Sequence, residues 1–274
     1  MVFLYTSTTI VYYLLLILMV TALSIGIISS NNYIFLISIG IFITTILGLI
    51  ITIKLANKKY IKSLSKIDYD IHSYLDEQYK FLNKLLISKS IRNIIKINIA
   101  AGFMNNEQFD EALKIFSEFA QTGYQGLSLD KRFLIFMNQA KCYMKLNRFD
   151  MVLSYIQNSE IILRTARFPA NIRYELSLIF EYTVAEYNYK LNLNPHNIQE
   201  LINKINDILN NNSMKIKSNY ATFRYEAGAL YMQLGDTARA EGEFDYILRT
   251  GSSLPCVNRI KAYNETGDMN ILKV

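Results

Sequence analysis

Tryptophan is absent, and histidine and cysteine contribute two residues each. His72 and His196 lie far apart, so no histidine pair stands at metal-ligand spacing. Cys142 and Cys256 form neither a CxxC pair nor a secreted-type disulfide framework, which fits a reducing compartment. No glycine-rich phosphate loop, GxSxG elbow or HExxH motif occurs. The sequence offers no convergent set of titratable groups, so neither an enzyme nor a cofactor is expected. Three prolines and 11 glycines in 274 residues favour long helices over a turn-rich sheet protein.

Charge is missing altogether from residues 1–53. Two apolar runs fill that stretch, Ile10 to Ile28 and Tyr33 to Ile53, separated by the polar turn Ser29 to Asn32. As helices they would measure about 28 and 31 Å, each enough to cross a bilayer core. The expectation is a transmembrane hairpin over 1–54. Lys54, Lys58, Lys62 and Lys66 follow at intervals of four, with no acid before Asp68. The positive-inside rule then predicts a two-span protein of a bacterial plasma membrane with both termini cytoplasmic. The four lysines would form one stripe at the lipid surface, with the bilayer as partner. Residues 55–90 read as a basic juxtamembrane segment and a connecting helix.

What is present beyond residue 90 is a repeat. Ala100, Phe103, Phe109, Ala112 and Phe116 stand at spacings of three, six, three and four. Ala140, Tyr143, Phe149, Val152 and Ile156 repeat those spacings, as do Gly228, Tyr231, Thr237, Ala240 and Phe244. A small residue and an aromatic three places on share a helical face, and the six-residue step crosses a turn. The unit is a helical hairpin in which the small residue permits close approach. Ala185 takes the small position in a more divergent third hairpin, with Asn194 and Pro195 at its turn. The small positions are separated by 40, 45 and 43 residues, a solenoid period. Pro255 starts a final helix, expected to cover the open end of the stack.

These hairpins resemble tetratricopeptide repeats, whose pattern has a small residue, an aromatic three on, often glycine at the turn, and then an aromatic, an alanine and a further aromatic. The first copy matches at Ala100, Phe103, Phe109, Ala112 and Phe116, and the last at Gly228, Tyr231, Gly235, Ala240 and Phe244. The resemblance covers about residues 91–250. It implies a superhelix whose first helices line a concave groove for peptides or partner helices. By position, that groove would take Ile97, Ala101 and Met104 from the first copy. Met137, Lys141 and Met144 would come from the second, and Tyr225 and Met232 from the fourth. One subset of the family clamps a terminal carboxylate with Lys, Asn and Arg. Here only Asn138 matches, and Ile97 and Ala101 stand where Lys and Asn would be needed.

The reading is therefore all-α, a two-helix transmembrane hairpin followed by an α-solenoid over 91–267. Its expected function is a membrane-anchored scaffold that binds a peptide or partner protein. The alternative is an accessory structural subunit of a multi-span membrane complex, for which Gly40 and Gly48 could line one helix face. Arg164, Arg167 and Arg173 read as a helix-end cluster; without a basic stripe interleaved with aromatics, no nucleic acid is expected.

Overall fold

A computed structural model describes residues 62–83, 89–211, 220–250 and 253–272, with scattered helical positions between 20 and 58. Among the described residues there is no strand. The helices are α1 (Ile71–Leu82), α2 (Lys89–Asn105), α3 (Phe109–Gln121), α4 (Leu129–Lys145) and α5 (Phe149–Thr165). They continue with α6 (Ala170–Leu191), α7 (Pro195–Asn210), α8 (Tyr220–Gln233), α9 (Thr237–Arg249) and α10 (Pro255–Thr266). Consecutive helices pair, α2 with α3, α4 with α5, α6 with α7 and α8 with α9. Neighbouring pairs then stack, with α4 touching both α2 and α6.

Three of the four pairs turn in the same way. Glu107, Asn147 and Gly235 each take a left-handed conformation two residues before the second helix. At each turn the next amide donates back across the end of the first helix: Gln108 to Phe103, Arg148 to Tyr143 and Asp236 to Tyr231. The left-handed residue itself donates to Met104, Met144 or Met232. This is the Schellman pattern, which satisfies carbonyls left over at a helix end. The third pair lacks it. There Asn194 caps α7 by accepting from the Asn197 amide at 2.8 Å, and Pro195 sets the first helical φ.

Close approach at the small positions is visible directly. Ala100, Ala140, Ala185 and Gly228 are all buried, as are Ala112, Phe116, Val152, Ala240 and Phe244 opposite them. A methyl group added at Gly228 would come within 2.5 Å of the Phe244 ring. The pair is set by the absence of that methyl.

One expectation is corrected. Most of residues 1–53 lies outside the described residues. Among those described, no helix is long and apolar enough to cross a membrane, which overturns the two-span plasma-membrane localisation. The longest described helix, α6, has 22 residues and carries Arg173, Glu175, Glu181, Glu186 and Lys190, too many charges for a membrane span. The last helix, expected to cover the end of the stack, packs on α9, and the segment before it also reaches the start of the stack. The Ser253 amide donates to the Tyr69 carbonyl at 3.0 Å, and the Ile71 amide donates to Ser253 Oγ at 3.3 Å. Arg259 of α10 pairs with Glu107 at the first hairpin turn. The stack winds round until its last elements meet its first, enclosing a central space.

Two substitutions separate close approach from helix propensity. Gly228→Ala should destabilise the protein, because overpacking costs about 1–3 kcal/mol against about 1 kcal/mol of gained propensity. Gly242→Ala on α9, where an added methyl meets nothing within 4 Å, should stabilise it by up to about 1 kcal/mol. Phe116→Ala, at a fully buried ring, should cost about 3–5 kcal/mol. Urea unfolding of the three variants measures all of this; a neutral Phe116→Ala would place the wrong face inside.

Candidate functional site: a cavity lined by the first helices

The wound stack encloses a cavity of about 1440 Å³. Its wall comes from the first helix of each pair. From α2 it takes Ile94, Ile97, Ala101 and Met104, and from α4 Leu134, Met137, Asn138, Lys141 and Lys145. Helix α6 adds Ile179, Tyr182, Tyr189 and Lys190, and α8 adds Thr222, Phe223, Tyr225, Glu226 and Gln233. Leu254, Cys256 and Arg259 close the circuit toward α10.

Six of the eight groove residues expected from the repeat pattern face this cavity: Ile97, Ala101, Met104, Met137, Lys141 and Tyr225. Met144 and Met232 do not; Met144 is fully buried between α4 and its neighbours, and Met232 packs in the core with α9 and α10. On α4 the wall follows Met137, Lys141 and Lys145, spaced by four, so Met144 turns about 100° away. Of the lysine stripe, Lys54 lies outside the described residues, and Lys58 and Lys62 are exposed. Lys66 leaves the stripe, because its ammonium donates to Ser73 Oγ at 2.7 Å and Glu77 Oε1 at 2.8 Å. Arg173 donates to the Leu163 carbonyl at 2.9 Å and the Ala166 carbonyl at 2.7 Å, so it caps the end of α5. Cys142 is buried core, and burial pushes its thiol up to about 12.

The middle of the cavity wall holds a charged network from three hairpins. Lys141 and Lys145 lie one turn apart on α4, and Tyr182 and Glu186 one turn apart on α6. Glu226 faces them from α8. Tyr182 Oη donates to Glu226 Oε2 at 2.5 Å and accepts from Lys141 Nζ at 2.9 Å. Lys145 Nζ donates to Glu226 Oε1 at 3.3 Å and lies 3.0 Å from Glu186 Oε1. Lys141 Nζ stands 3.5 Å from Glu226 Oε1 and 4.9 Å from the Tyr182 ring centre. Phe223 meets the Tyr182 ring edge-to-face at 5.1 Å. Beside the network, Tyr189 and Gln233 exchange hydrogen bonds at 3.1 and 3.0 Å.

Electrostatics hold Glu226 and Lys145 charged. Burial acts against ionisation of Glu226, but Lys141, Lys145 and the Tyr182 hydroxyl more than reverse it and bring the carboxyl down to about 2. Burial also opposes the Lys145 ammonium, and Glu186 and Glu226 overcome it and raise its pKa. Burial, reinforced by the same two carboxylates, lifts the Tyr182 phenol well above its ordinary value, so it stays a neutral donor. Glu186 Oε2 is buried with no hydrogen-bond donor.

Sequence reasoning placed Lys141 and missed Glu186, Glu226, Tyr182 and Lys190. One signal existed: Glu226 is the only acid in α8, flanked by Tyr225, Ala227 and Ala229 on a helix that is apolar nearly all round. An acid in such a helix needs buried cations, but the lysines that supply them are 81 and 85 residues away. No family model, curated protein or solved structure matches the chain.

Removing one member of a buried ion network leaves the others uncompensated, so Glu226→Gln should cost about 3–5 kcal/mol at pH 7. The folded-state pKa of Glu226 is depressed from 4.5 to about 2. Its contribution is therefore fully present above pH 4.5 and lost as pH falls toward 2. The stability gap between wild type and Glu226→Gln should shrink through that window in urea titrations, while a gap constant from pH 6 to pH 3 would contradict the network.

Proposed function

We propose that this chain is a non-enzymatic scaffold of tetratricopeptide-like hairpins, an α-solenoid, that takes a peptide or a helical segment of a partner protein into its central cavity. The observation that carries the reading is the cavity itself, walled by the first helix of every pair and about 1440 Å³ in volume. That exceeds the roughly 300–1,000 Å³ typical of small-molecule pockets. Its wall joins partly buried apolar side chains (Met104, Leu134) to a charged centre, which suits an amphipathic segment with apolar residues at helical spacing. Met104 adds the adaptability of an unbranched thioether. The common turn at Glu107, Asn147 and Gly235 supports the repeat resemblance at the backbone level.

A displayed library of random 12-residue peptides tests this. Selection should enrich sequences with apolar anchors three or four apart. Asn138→Trp fills the cavity from α4, so it should weaken the selected peptides by about tenfold or more, about 1.4 kcal/mol. Leu153→Asp on the exposed side of α5 should leave binding unchanged. Both variants should melt with the wild type. Failure to enrich any peptide, or full binding by Asn138→Trp, would overturn the proposal.

A further inference from the structure

The second helices of the pairs do not present equal faces to solvent. Helices α3 and α7 expose no large apolar side chain, and α9 exposes only Tyr246. Helix α5 exposes Met151, Leu153 and Ile161, the last two at 48% and 58%. No α5 residue lines the cavity, so a peptide held there gives these side chains no use.

The exposed face of α5 is symmetric about its middle. Asp150, Leu153, Gln157, Ile161 and Arg164 are all exposed. Leu153 and Ile161 lie four residues either side of Gln157, and Asp150 and Arg164 seven residues either side. At about 100° per residue, all five fall within about 40° of the Gln157 direction. A second α5 laid antiparallel across this one, with a two-fold axis at Gln157, sets Leu153 against Ile161 and Asp150 against Arg164. Gln157 then meets its own copy. Both apolar residues are covered, and opposite charges face each other at both ends. Parallel docking would instead bring Asp150 to Asp150 and Arg164 to Arg164. Arg164 pairs with Glu160 one turn back on α5, and Asp150 pairs with no cation among the described residues. The Arg164 guanidinium has further N–H groups for a second carboxylate.

We propose that this face of α5 is an isologous interface, and that its partner is a second copy of the chain held antiparallel about a two-fold axis at Gln157. Leu153 and Ile161 supply the apolar contact, and two Asp150–Arg164 pairs at the rim set direction and register. One helix pair covers less than a standard interface, so half-association is expected at a concentration on the order of 100 µM.

The full chain serves for the test, because Cys142 and Cys256 are both buried, out of reach of a cross-linker. Gln157→Cys should be captured as a dimer by a short bis-maleimide, since position 157 meets its own copy. Glu241→Cys, exposed on α9, should not. In sedimentation equilibrium, Asp150→Lys and Arg164→Glu should each weaken self-association about tenfold or more, because each sets like charges opposite one another twice. An equimolar mixture of these two variants should associate within about threefold of wild type, since each supplies the charge that the other needs. All four variants change exposed side chains and should melt with the wild type. A wild type that stays monomeric at these concentrations would overturn the proposal, as would equal cross-linking at positions 157 and 241. So would either charge variant associating like wild type, or a mixture no tighter than the variants alone.

Discussion

The molecule depends on a buried charge network that no single hairpin could make. Lys141 and Lys145 from α4, Tyr182 and Glu186 from α6, and Glu226 from α8 are each costly to bury alone. Together they are tolerable only when three helix pairs sit in one relative arrangement. Apolar faces between stacked hairpins attract without fixing register, because hydrophobic contact is non-directional. Ammonium, phenol and carboxylate groups at 2.5–3.5 Å are directional, so they favour one winding over nearby alternatives. The cost is that Glu186 keeps a carboxylate oxygen with no donor.

Around that network, local chemistry and winding support each other. Left-handed residues at three equivalent turns give three hairpins the same entry into their second helices. For Glu107 and Asn147 this conformation is less comfortable than for Gly235, by about 1 kcal/mol per residue. Glu107 has a use for its side chain that glycine would lack, since it pairs with Arg259 where the end of the chain returns to the beginning. The same residue thus terminates a helix and joins the two ends of the stack. Closure is what turns a curved face into a cavity, with both the 3-10 turn Ser65–Asp68 and the 3-10 turn Met269–Ile271 contributing to its wall.

Much of the helical architecture was legible in residue spacing. The small-plus-aromatic pattern located Ala100, Ala140 and Gly228, all of which are buried at helix-pair contacts. It worked because a hairpin is a local object: five side chains within about 17 residues fix its face. The apolar runs in residues 1–53 led further than the described helices follow. Long apolar stretches look alike whether a bilayer or protein is to cover them, and hydropathy alone does not distinguish the two.

The sequence by itself determined where helices start, turn and pair, because those outcomes rest on interactions within a few turns of chain. The tertiary structure alone decided which face of each first helix looks inward. It set the wall on Lys145 and Gln233 rather than Met144 and Met232, a rotation of one residue that spacing cannot register. It also decided that Glu226 finds its cations on α4 and its phenol on α6, and that α10 returns to the first hairpin. Each of these is set by how far the stack rotates per hairpin, a quantity summed over every interface at once and written in no single stretch of residues.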